Sequence, residues 1–305
     1  MPAIDFCGPA NAHGDNAALA VRNCHVQPKH IADHHATTDD SPIGTSAGTA
    51  PVRLSIVTVC FNDLQGLEAT CNSLREQTEA PREWIVADGG SSDGTVEWLA
   101  TRDWHPLSWT SERDNGIYFG MNRGLGVATG QYVLFLNSGD TLATADTLSR
   151  LHAALEADAS LPALVFGHCF EVATDGTVHH RKARKPNWVP VGMPTSHQAM
   201  CFRRDAIGDG YDVRFRLSGD YALVARLFAA SRGADFRQLP FPVCRFQLGG
   251  RSESRRASAL IEDGEIRRRI LGMGSRASTV LDALHRAHAM VKRHAPVLHR
   301  MFRYD

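Results

Sequence analysis

The sequence predicts an α/β fold in which a mostly parallel, doubly wound sheet is flanked by helices. Two observations support this prediction. Between residues 54 and 166, short apolar runs typical of buried strands alternate with segments whose apolar residues recur at helical spacing. Polar clusters follow several of these runs, and the strand ends of a parallel sheet form its ligand-binding edge. Strands and helices that alternate at this spacing require parallel strands joined by helical crossovers.

The first half of the chain supplies five strands and the helices between them. The predicted strands lie at 54–60, 83–88, 107–110, 132–136 and 163–166. The expected buried helix faces are Leu67, Cys71 and Leu74, then Ile117, Met121, Leu125 and Ala128, and finally Leu148, Leu151 and Leu155. Asp93 is expected to be the N-cap of a short helix through Trp98. Gly130 is expected to close the helix that contains Met121.

The second half of the chain is less regular. Its predicted elements are a hairpin at 170–173 and 177–180, a strand at 199–202, a helix opened by Asp220, and a flexible loop at 249–252 before two C-terminal helices. Residues 1–50 lack apolar periodicity, which is typical of a disordered leader. We therefore divide the chain into this leader, an α/β domain at 51–252 and a basic helical extension at 253–305.

Composition indicates a soluble globular protein in a reducing compartment. The 305 residues carry no formal net charge and are 43% hydrophobic. The seven cysteines include no Cys-x-x-Cys pair, which argues against a disulfide framework or a zinc module. The N-terminus lacks a basic segment followed by an apolar stretch, and no apolar run approaches the length of a membrane span. We therefore expect a cytoplasmic protein.

Polar residues follow successive strands of the predicted sheet. Asn62, Asp88, Asp114 and Asp140 lie on connections that should meet at one edge. Carboxylates brought together there need hydrogen-bond donors or a cation to offset their repulsion. A nucleotide supplies N–H and hydroxyl donors, and a divalent cation on its diphosphate would bind a carboxylate such as Asp140. The pattern therefore favours a nucleotide site.

Two common nucleotide-binding motifs are absent. A dinucleotide-binding turn would need Gly-x-Gly-x-x-Gly after the first strand, where the chain has only Gly66. Gly89, Gly90 and Gly94 follow the second strand at a different spacing, and no Gly-Lys-Ser or Gly-Lys-Thr phosphate loop occurs. These absences disfavour a simple dehydrogenase and a kinase. A sugar nucleotidyltransferase would also need a basic, glycine-rich loop after the first strand.

The motifs of the chain, taken in order, resemble the inverting family 2 glycosyltransferases of the GT-A fold, which has a Rossmann-like, mostly parallel sheet. Within that family the chain resembles bacterial exopolysaccharide and glycolipid enzymes similar to colanic acid transferases. The resemblance spans residues 53–252. The motifs that carry it are SIVTVCFN at 55–62, DGGSSDGT at 88–95, DNGIY at 114–118, MNRG at 121–124, LNSGD at 136–140, HQ at 197–198, SGD at 218–220 and GGRS at 249–252.

The resemblance implies a role for each matching position. The positions that would bind the nucleotide sugar are Thr58, Cys60, Asn62, Asp88, Asp93, Asp114, Asn122, Arg123 and Asn137. Asp140 matches the carboxylate that holds Mg²⁺ or Mn²⁺, and Asp220 matches the general base that deprotonates the acceptor hydroxyl. The positions that would border the acceptor are His197, Gln198, Gly250 and Arg251.

The metal motif departs from that of many relatives. Asn137 and Gly139 stand where those enzymes carry further carboxylates, which leaves Asp140 as the single one. A divalent cation held by one carboxylate would depend more on diphosphate oxygens and water.

Simpler roles are open for four of these residues. Asp88 could be only a turn residue, and Asp220 could be only a helix N-cap. His197 could be a hydrogen-bonded core histidine, and Asn122 could brace its helix through backbone contacts.

The implied function is transfer of a sugar from a UDP- or GDP-sugar to a hydroxyl of a lipid-linked or glycan acceptor. Such a reaction belongs to bacterial surface polysaccharide or glycolipid biosynthesis and needs no nucleic-acid partner. The alternatives are a catalytically inactive sugar-nucleotide-binding subunit of an assembly complex and a sugar nucleotidyltransferase.

The C-terminal extension suggests peripheral contact with the cytoplasmic face of the membrane. Residues 251–305 carry twelve basic and six acidic side chains, and Leu281, Leu284, Val291 and Leu298 fall near one helix face. The alternative is a helix that packs on the domain and leaves its basic face in solvent.

Overall fold

A single mixed sheet forms the centre of the molecule. The computed structural model describes residues 53–105, 107–248 and 256–294. In that part of the chain the strands are β1 Leu54–Cys60, β2 Glu83–Asp88, β3 Leu107–Ser111, β4 Tyr132–Phe135, β5 Thr141–Leu142, β6 Leu164–Val172, β7 Val178–Arg181, β8 Met200–Arg203 and β9 Phe236–Gln247. Their order in the sheet is β3-β2-β1-β4-β8-β6-β9-β5, and β7 pairs with β6.

Helices cover the sheet and connect its strands. Their bounds are α1 Leu64–Arg75, α2 Thr95–Ala100, α3 Ile117–Val127, α4 Thr147–Ala157, α5 Arg204–Ile207, α6 Gly219–Ser231, α7 Arg256–Arg269 and α8 Ser275–His294. The predicted leader at 1–50 lies outside the described residues. No helix in the described part of the chain combines the length and apolar content needed to cross a bilayer.

The first four strands form the parallel half of the sheet that the sequence predicts. β1 pairs in parallel with β2 and with β4, and β2 pairs in parallel with β3. Since parallel strands end at the same edge, the segments after Cys60, Asp88, Ser111 and Phe135 emerge on one side of the molecule.

Alternate residues of each strand point to opposite faces, and among the described residues an apolar core lies on each face. On one face Val57, Val59 and Phe135 pack with residues of α3 and α6. On the other face Ile56 and Trp84 pack with residues of α1 and α4. Burial on both faces explains why the central strands are continuous apolar runs in the sequence.

The second half of the sheet differs from the prediction. β8 is antiparallel and lies between β4 and β6, and β6 continues without interruption to Val172 instead of ending at Phe166. The long strand β9 was not foreseen, because Pro240 and Pro242 argue against a strand. The pairing of β9 with β6 is irregular around His168, which lies opposite Pro242, and this irregularity accommodates the missing N–H donors.

Three details of the predicted helices are wrong. Ile117 is 41% exposed, and Tyr118 takes its place on the buried face of α3. The residue before α2 is Gly94, so Asp93 lies one position outside the N-cap. Gly130 lies beyond the end of α3, where its N–H donates to the Ser55 hydroxyl instead of closing the helix.

The C-terminal helices contact the domain. Leu260 and Ile266 of α7 are buried, and Ile266 belongs to the core that contains α6. Arg267 is fully buried and pairs with Asp282 of α8. The first of the two predicted basic helices is therefore packed on the domain.

The contact between α3 and β1 requires a glycine at position 124. A Cβ added to Gly124 would lie 2.4 Å from Cγ1 of Val57, whereas one added to Gly126 would meet no atom within 4 Å. We expect Gly124→Ala to lower the free energy of unfolding by about 1–3 kcal/mol through overpacking. Gly126→Ala should raise it by up to about 1 kcal/mol through helix propensity. Urea unfolding of both variants tests this, and equal effects would contradict the close approach.

Candidate active site

The strand-end edge begins with a hydrogen-bonded link between the β1 end and the glycine turn after β2. Asn62 has a left-handed backbone (φ 49°), and its N–H donates to the Ser91 hydroxyl at 2.7 Å. The Asn62 Oδ1 atom accepts the Ser92 N–H at 2.8 Å. Asp93 Oδ2 accepts the Leu64 N–H at the start of α1 at 2.9 Å. The side chains of Asn62 and Asp93 therefore fix the two loops to each other.

Asp88 holds the glycine turn in shape. Its side chain is fully buried, and Oδ2 accepts N–H groups from Gly90 and Ser91 at 3.0 and 2.9 Å. The hydroxyls of Ser91 and Ser111 also donate to this carboxylate at 2.5 and 2.6 Å. Both oxygens are used by the protein, so the geometry favours the turn role that the sequence left open.

Arg123 of α3 reaches across the same edge. It donates to the Asp88 carbonyl at 2.7 Å and to the Glu112 carbonyl at 3.2 Å. Its guanidinium also lies 3.4 Å from Asp114 Oδ2, while Asp114 Oδ1 accepts the Gly116 N–H at 3.0 Å. The structure thus brings Asp88, Asp114 and Arg123 together at the ends of β2 and β3.

Thr58 and Cys60 are core residues and do not line an open pocket. Thr58 is fully buried, and its hydroxyl accepts the indole N–H of Trp84 at 2.9 Å. Cys60 is 5% exposed, and burial raises the pKa of its thiol to about 11. This burial argues against their predicted roles in lining a ligand pocket. Side chains on the central strand of a sheet that is covered on both faces point into the two cores.

Sequence reasoning missed an exposed aromatic residue at this edge. Phe61 is 50% exposed directly after β1, and its ring lies 3.3 Å from the position that a Cβ on Gly89 would occupy. The only signal in the sequence is its place between the strand and Asn62, since an exposed phenylalanine next to a turn is otherwise ordinary.

Asp140 lies at the end of the β4 connection, next to the end of β9. It is 5% exposed, and its Oδ1 atom accepts the Gln247 N–H at 3.2 Å. Burial raises the pKa of Asp140 to about 7, and the Asp63 carboxylate adds to this shift. The Gln247 N–H and the Gln198 side chain act in the opposite direction.

A divalent cation would find oxygen atoms at this position. The Oδ1 atom of Asn137 is buried and has no hydrogen-bond partner, and the Asp140 N–H donates to the Asn137 carbonyl at 3.0 Å. Within the described residues no group of three or more His, Cys, Asp or Glu side chains could hold a metal. Asp140 and Asn137 nevertheless carry the oxygen ligands that a hard cation prefers, and such a cation would take its remaining ligands from a substrate and water.

Asp220 belongs to the first turn of α6 but is not its N-cap, because Ser218 occupies that position. The Tyr118 hydroxyl donates to Asp220 Oδ1 at 3.1 Å, and the Tyr221 N–H donates to the same atom at 2.8 Å. Burial raises the pKa of the Asp220 carboxyl, and these two hydrogen bonds oppose the shift. Gly219 permits the contact, since a Cβ there would lie 2.9 Å from the Tyr118 ring.

His197 and Asn122 support the site from within the core. His197 is 5% exposed, and Nε2 lies 2.7 Å from the Tyr211 hydroxyl. Burial lowers the pKa of His197 to about 3, so the ring is neutral. The Asn122 Oδ1 atom accepts the Tyr211 N–H at 2.7 Å, and the Asn122 Nδ2 atom donates to the Tyr211 carbonyl at 2.9 Å. The bracing roles that the sequence left open for both residues agree with this geometry.

Of the remaining residues predicted to border the acceptor, the structure describes only Gln198. Gln198 is 6% exposed, and its Oε1 atom accepts the Ser196 hydroxyl at 2.5 Å, beside Asp140. Gly250 and Arg251 lie outside the described residues.

The comparison with known families assigns the class of enzyme. A family model described as glycosyl transferase family 2 matches residues 55–223, which is more than half of the chain. The chain is therefore a glycosyltransferase and belongs to glycosyl transferase family 2, as its motifs indicate.

Two relatives extend over much of the chain. An uncharacterized glycosyltransferase of Mycobacterium tuberculosis is 29% identical over 245 residues, which are 75% of this chain and 90% of the relative. A PGL/p-HBAD biosynthesis glycosyltransferase of Mycobacterium bovis is 31% identical over 180 residues, which are 57% of this chain and 69% of the relative.

Solved structures share the fold. S. aureus TarS in complex with UDP-GlcNAc has a TM-score of 0.57 at 14% identity, over 79% of this chain and 74% of that one. The mannosyltransferase PcManGT from Pyrobaculum calidifontis, in complex with GDP-Man and Mn²⁺, has a TM-score of 0.52 at 19% identity, over 81% and 77%. The predicted GT-A fold is confirmed.

Proposed function

We propose that the enzyme transfers a sugar from a UDP- or GDP-sugar to a hydroxyl group with inversion at the anomeric carbon. The observation that carries this proposal is the hydrogen bond from Tyr118 to Asp220. Tyr118 stands on the first turn of α3, directly after the loop that contains Asp114. A carboxylate from the second half of the chain is thereby held beside the strand-end edge, where open α/β sheets bind their ligands.

The donor would bind along this edge. Asn62, Asp93, Asp114 and Arg123 surround the glycine turn, and Phe61 offers an exposed ring next to it. The complexes of TarS with UDP-GlcNAc and of PcManGT with GDP-Man support a nucleotide sugar as donor.

Asp220 would act as the general base. Its raised pKa makes the carboxylate a stronger proton acceptor, and the Tyr118 hydroxyl fixes its Oδ1 atom. As the acceptor oxygen forms its bond to the anomeric carbon, its proton passes to Asp220 and the bond to the diphosphate breaks. Attack opposite the leaving group inverts the anomeric configuration.

Asp140 and Asn137 would hold a divalent cation, Mg²⁺ or Mn²⁺. A bound cation neutralises negative charge on a departing diphosphate. The Mn²⁺ in the complex of PcManGT supports this assignment, and so does the unpartnered Oδ1 atom of Asn137.

The acceptor would be a glycolipid or a surface glycan. The name of the mycobacterial relative, a PGL/p-HBAD biosynthesis glycosyltransferase, supports a role in glycolipid biosynthesis.

The role of Asp220 is tested by Asp220→Asn. We expect the variant to fold, because asparagine keeps the size of the side chain and one acceptor oxygen. Release of the nucleotide from a panel of UDP- and GDP-sugars should fall by roughly 10²–10⁴-fold, since an amide cannot take the acceptor proton. Nucleotide-sugar affinity, measured by calorimetry, should change little.

The matched control for this experiment is Asp205→Asn, whose carboxylate is 78% exposed on α5. A folded Asp220→Asn variant with the activity of this control would remove Asp220 from catalysis. Donor binding without any transfer by the wild-type enzyme would favour the inactive binding subunit instead.

The metal proposal predicts that EDTA abolishes turnover and that Mg²⁺ or Mn²⁺ restores it. Asp140→Ala should also abolish turnover, because it removes the single carboxylate at this position. Asp146→Ala is the control, since the Asp146 side chain is 53% exposed beside α4. Nucleotide release is the measurement, and full activity in EDTA would contradict the metal role.

We also propose that α8 binds an anionic lipid surface at the cytoplasmic face of the membrane. Val280, Leu284 and Met290 are 61%, 60% and 64% exposed, and Arg276 and Arg286 are exposed on the same helix. Exposed apolar side chains next to cations match the chemistry of an anionic lipid interface, where each cation adds about 1 kcal/mol.

Co-sedimentation with vesicles of anionic lipid tests this surface. Replacing Val280 and Leu284 by aspartate should reduce the bound fraction several-fold, because the apolar contact is lost and the charge is repelled. Val178→Asp, at a 45% exposed position of β7, is the control. Equal sedimentation of both variants, or no binding of the wild-type protein, would contradict the proposal.

A further inference from the structure

We infer that Glu262 of α7 is a positioning residue for the Asp220 base, an inference that rests on the transfer reaction proposed above. Glu262 lies outside the motifs of the strand-end edge, and nothing in the sequence around it indicates a role. Its position relative to the start of α6 supplies the argument.

The N-cap residue of the helix that carries Asp220 makes no side-chain hydrogen bond to the first turn. Ser218 occupies the N-cap position of α6, yet its side chain accepts no N–H group of the helix. The Glu262 carboxylate, which lies on α7, instead accepts backbone N–H groups at the start of α6. Its Oε1 atom accepts the Arg216 N–H at 3.1 Å, and its Oε2 atom accepts the N–H groups of Leu217 and Ser218 at 2.9 Å each.

These three hydrogen bonds fix the backbone that leads directly to Asp220. A carboxylate that accepts several N–H groups at the start of a helix makes charge-assisted bonds and also faces the positive end of the helix dipole. The Ser218 hydroxyl in turn donates to the Ala259 carbonyl at 3.4 Å, which adds a bond from α6 back to α7. The segment before Asp220 therefore cannot shift without breaking contacts to α7.

A second contact lies on the other side of Asp220. Tyr221 is buried, and its hydroxyl donates to the Val189 carbonyl at 2.8 Å. Burial raises the pKa of Tyr221, and the Arg267 guanidinium of α7 acts in the opposite direction because it is close. Arg267 is also paired with Asp282 of α8. Residues of α7 therefore act on both sides of the base, through Glu262 on the segment 216–218 and through Arg267 near Tyr221.

Glu262 also acts on Asp220 through its charge. Burial raises the pKa of Asp220, and the Glu262 carboxylate raises it further. Two neutral hydroxyls also lie close to Asp220, those of Tyr118 from α3 and Tyr211 from the segment before α6. Glu262 adds a negative charge to this neutral environment, and its removal should lower the pKa of the base.

The sign of the effect on activity follows from this. The base works in its ionised form, so turnover falls as the pH drops through the pKa of Asp220. Neutralising Glu262 lowers that pKa and moves the acidic limb of the pH–rate profile to lower pH. A purely structural role would reduce stability without moving this limb.

Three variants separate charge from position. Glu262→Gln removes the charge and replaces one acceptor oxygen by an NH2 group, which cannot accept hydrogen bonds from the backbone N–H groups. Glu262→Asp keeps the charge but is too short to reach all three N–H groups. Glu265→Gln, on the same helix and paired with Arg269 at 3.0 Å, is the control for loss of a surface charge. The reaction measured is hydrolysis of the UDP- or GDP-sugar that the wild-type enzyme cleaves, with water as the acceptor.

For Glu262→Gln we expect kcat to fall roughly 10- to 100-fold, because a displaced base loses alignment with the acceptor. Its acidic limb should move to lower pH, because the negative charge that raises the pKa of the base is removed. Glu262→Asp should lose kcat while its limb stays in place, which keeps the test valid if the glutamine variant does not fold. Hydrogen exchange at the amides of 216–218 should be faster in both variants and unchanged in Glu265→Gln.

Two outcomes would overturn the inference. One is a pH limb and kcat in both Glu262 variants that match those of Glu265→Gln. The other is unchanged exchange at 216–218, which would show that the three hydrogen bonds are not made in solution. Absence of hydrolysis by the wild-type enzyme would instead contradict the proposed function, and the exchange measurement distinguishes this case because it needs no substrate.

Discussion

The close approach of α3 to the sheet sets the geometry on which the rest of the site depends. With Gly124 against Val57, the helix lies deep enough for its side chains to reach in several directions. Tyr118 contacts the Asp220 carboxylate, Asn122 holds the Tyr211 backbone, and Arg123 reaches the Asp88 carbonyl. One helix therefore joins the strand-end edge, the core and the candidate base, and a small displacement of α3 would disturb all three.

The parallel half of the fold could be predicted because its signal is local. Strands buried on both faces are continuous apolar runs, and turns rich in Gly, Ser and Asp separate them from the helices. The errors arose where a distant contact overrides the local pattern. Ile117 fits the helical spacing of α3, but the neighbouring Tyr118 is buried because it reaches α6. The prolines of β9 argued against a strand in the sequence, because the irregular pairing with β6 that accommodates them can be seen only in the structure.

The sequence predicted where the candidate site residues lie in the fold better than it predicted which hydrogen bonds they make. The sequence placed Asp114 and Asp140 beside strand ends, because parallel strands end at one edge of a sheet, whereas the role of Asp220 was implied by the family resemblance alone. It could not reveal that the Thr58 hydroxyl faces Trp84 or that Glu262 binds the start of α6. Hydrogen bonds between residues 26 or 45 positions apart leave no periodic signal in a single sequence.

The link between Asn62 and the glycine turn has a thermodynamic consequence for ligand binding. Loops that must order around a ligand lose conformational entropy at that moment, and the loss weakens affinity. Here Ser91, Ser92 and Asp93 are already fixed to the β1 end and to α1 by side-chain hydrogen bonds. The entropy of these loops is lost during folding, so a molecule that binds at this edge meets a surface whose shape exists before it arrives.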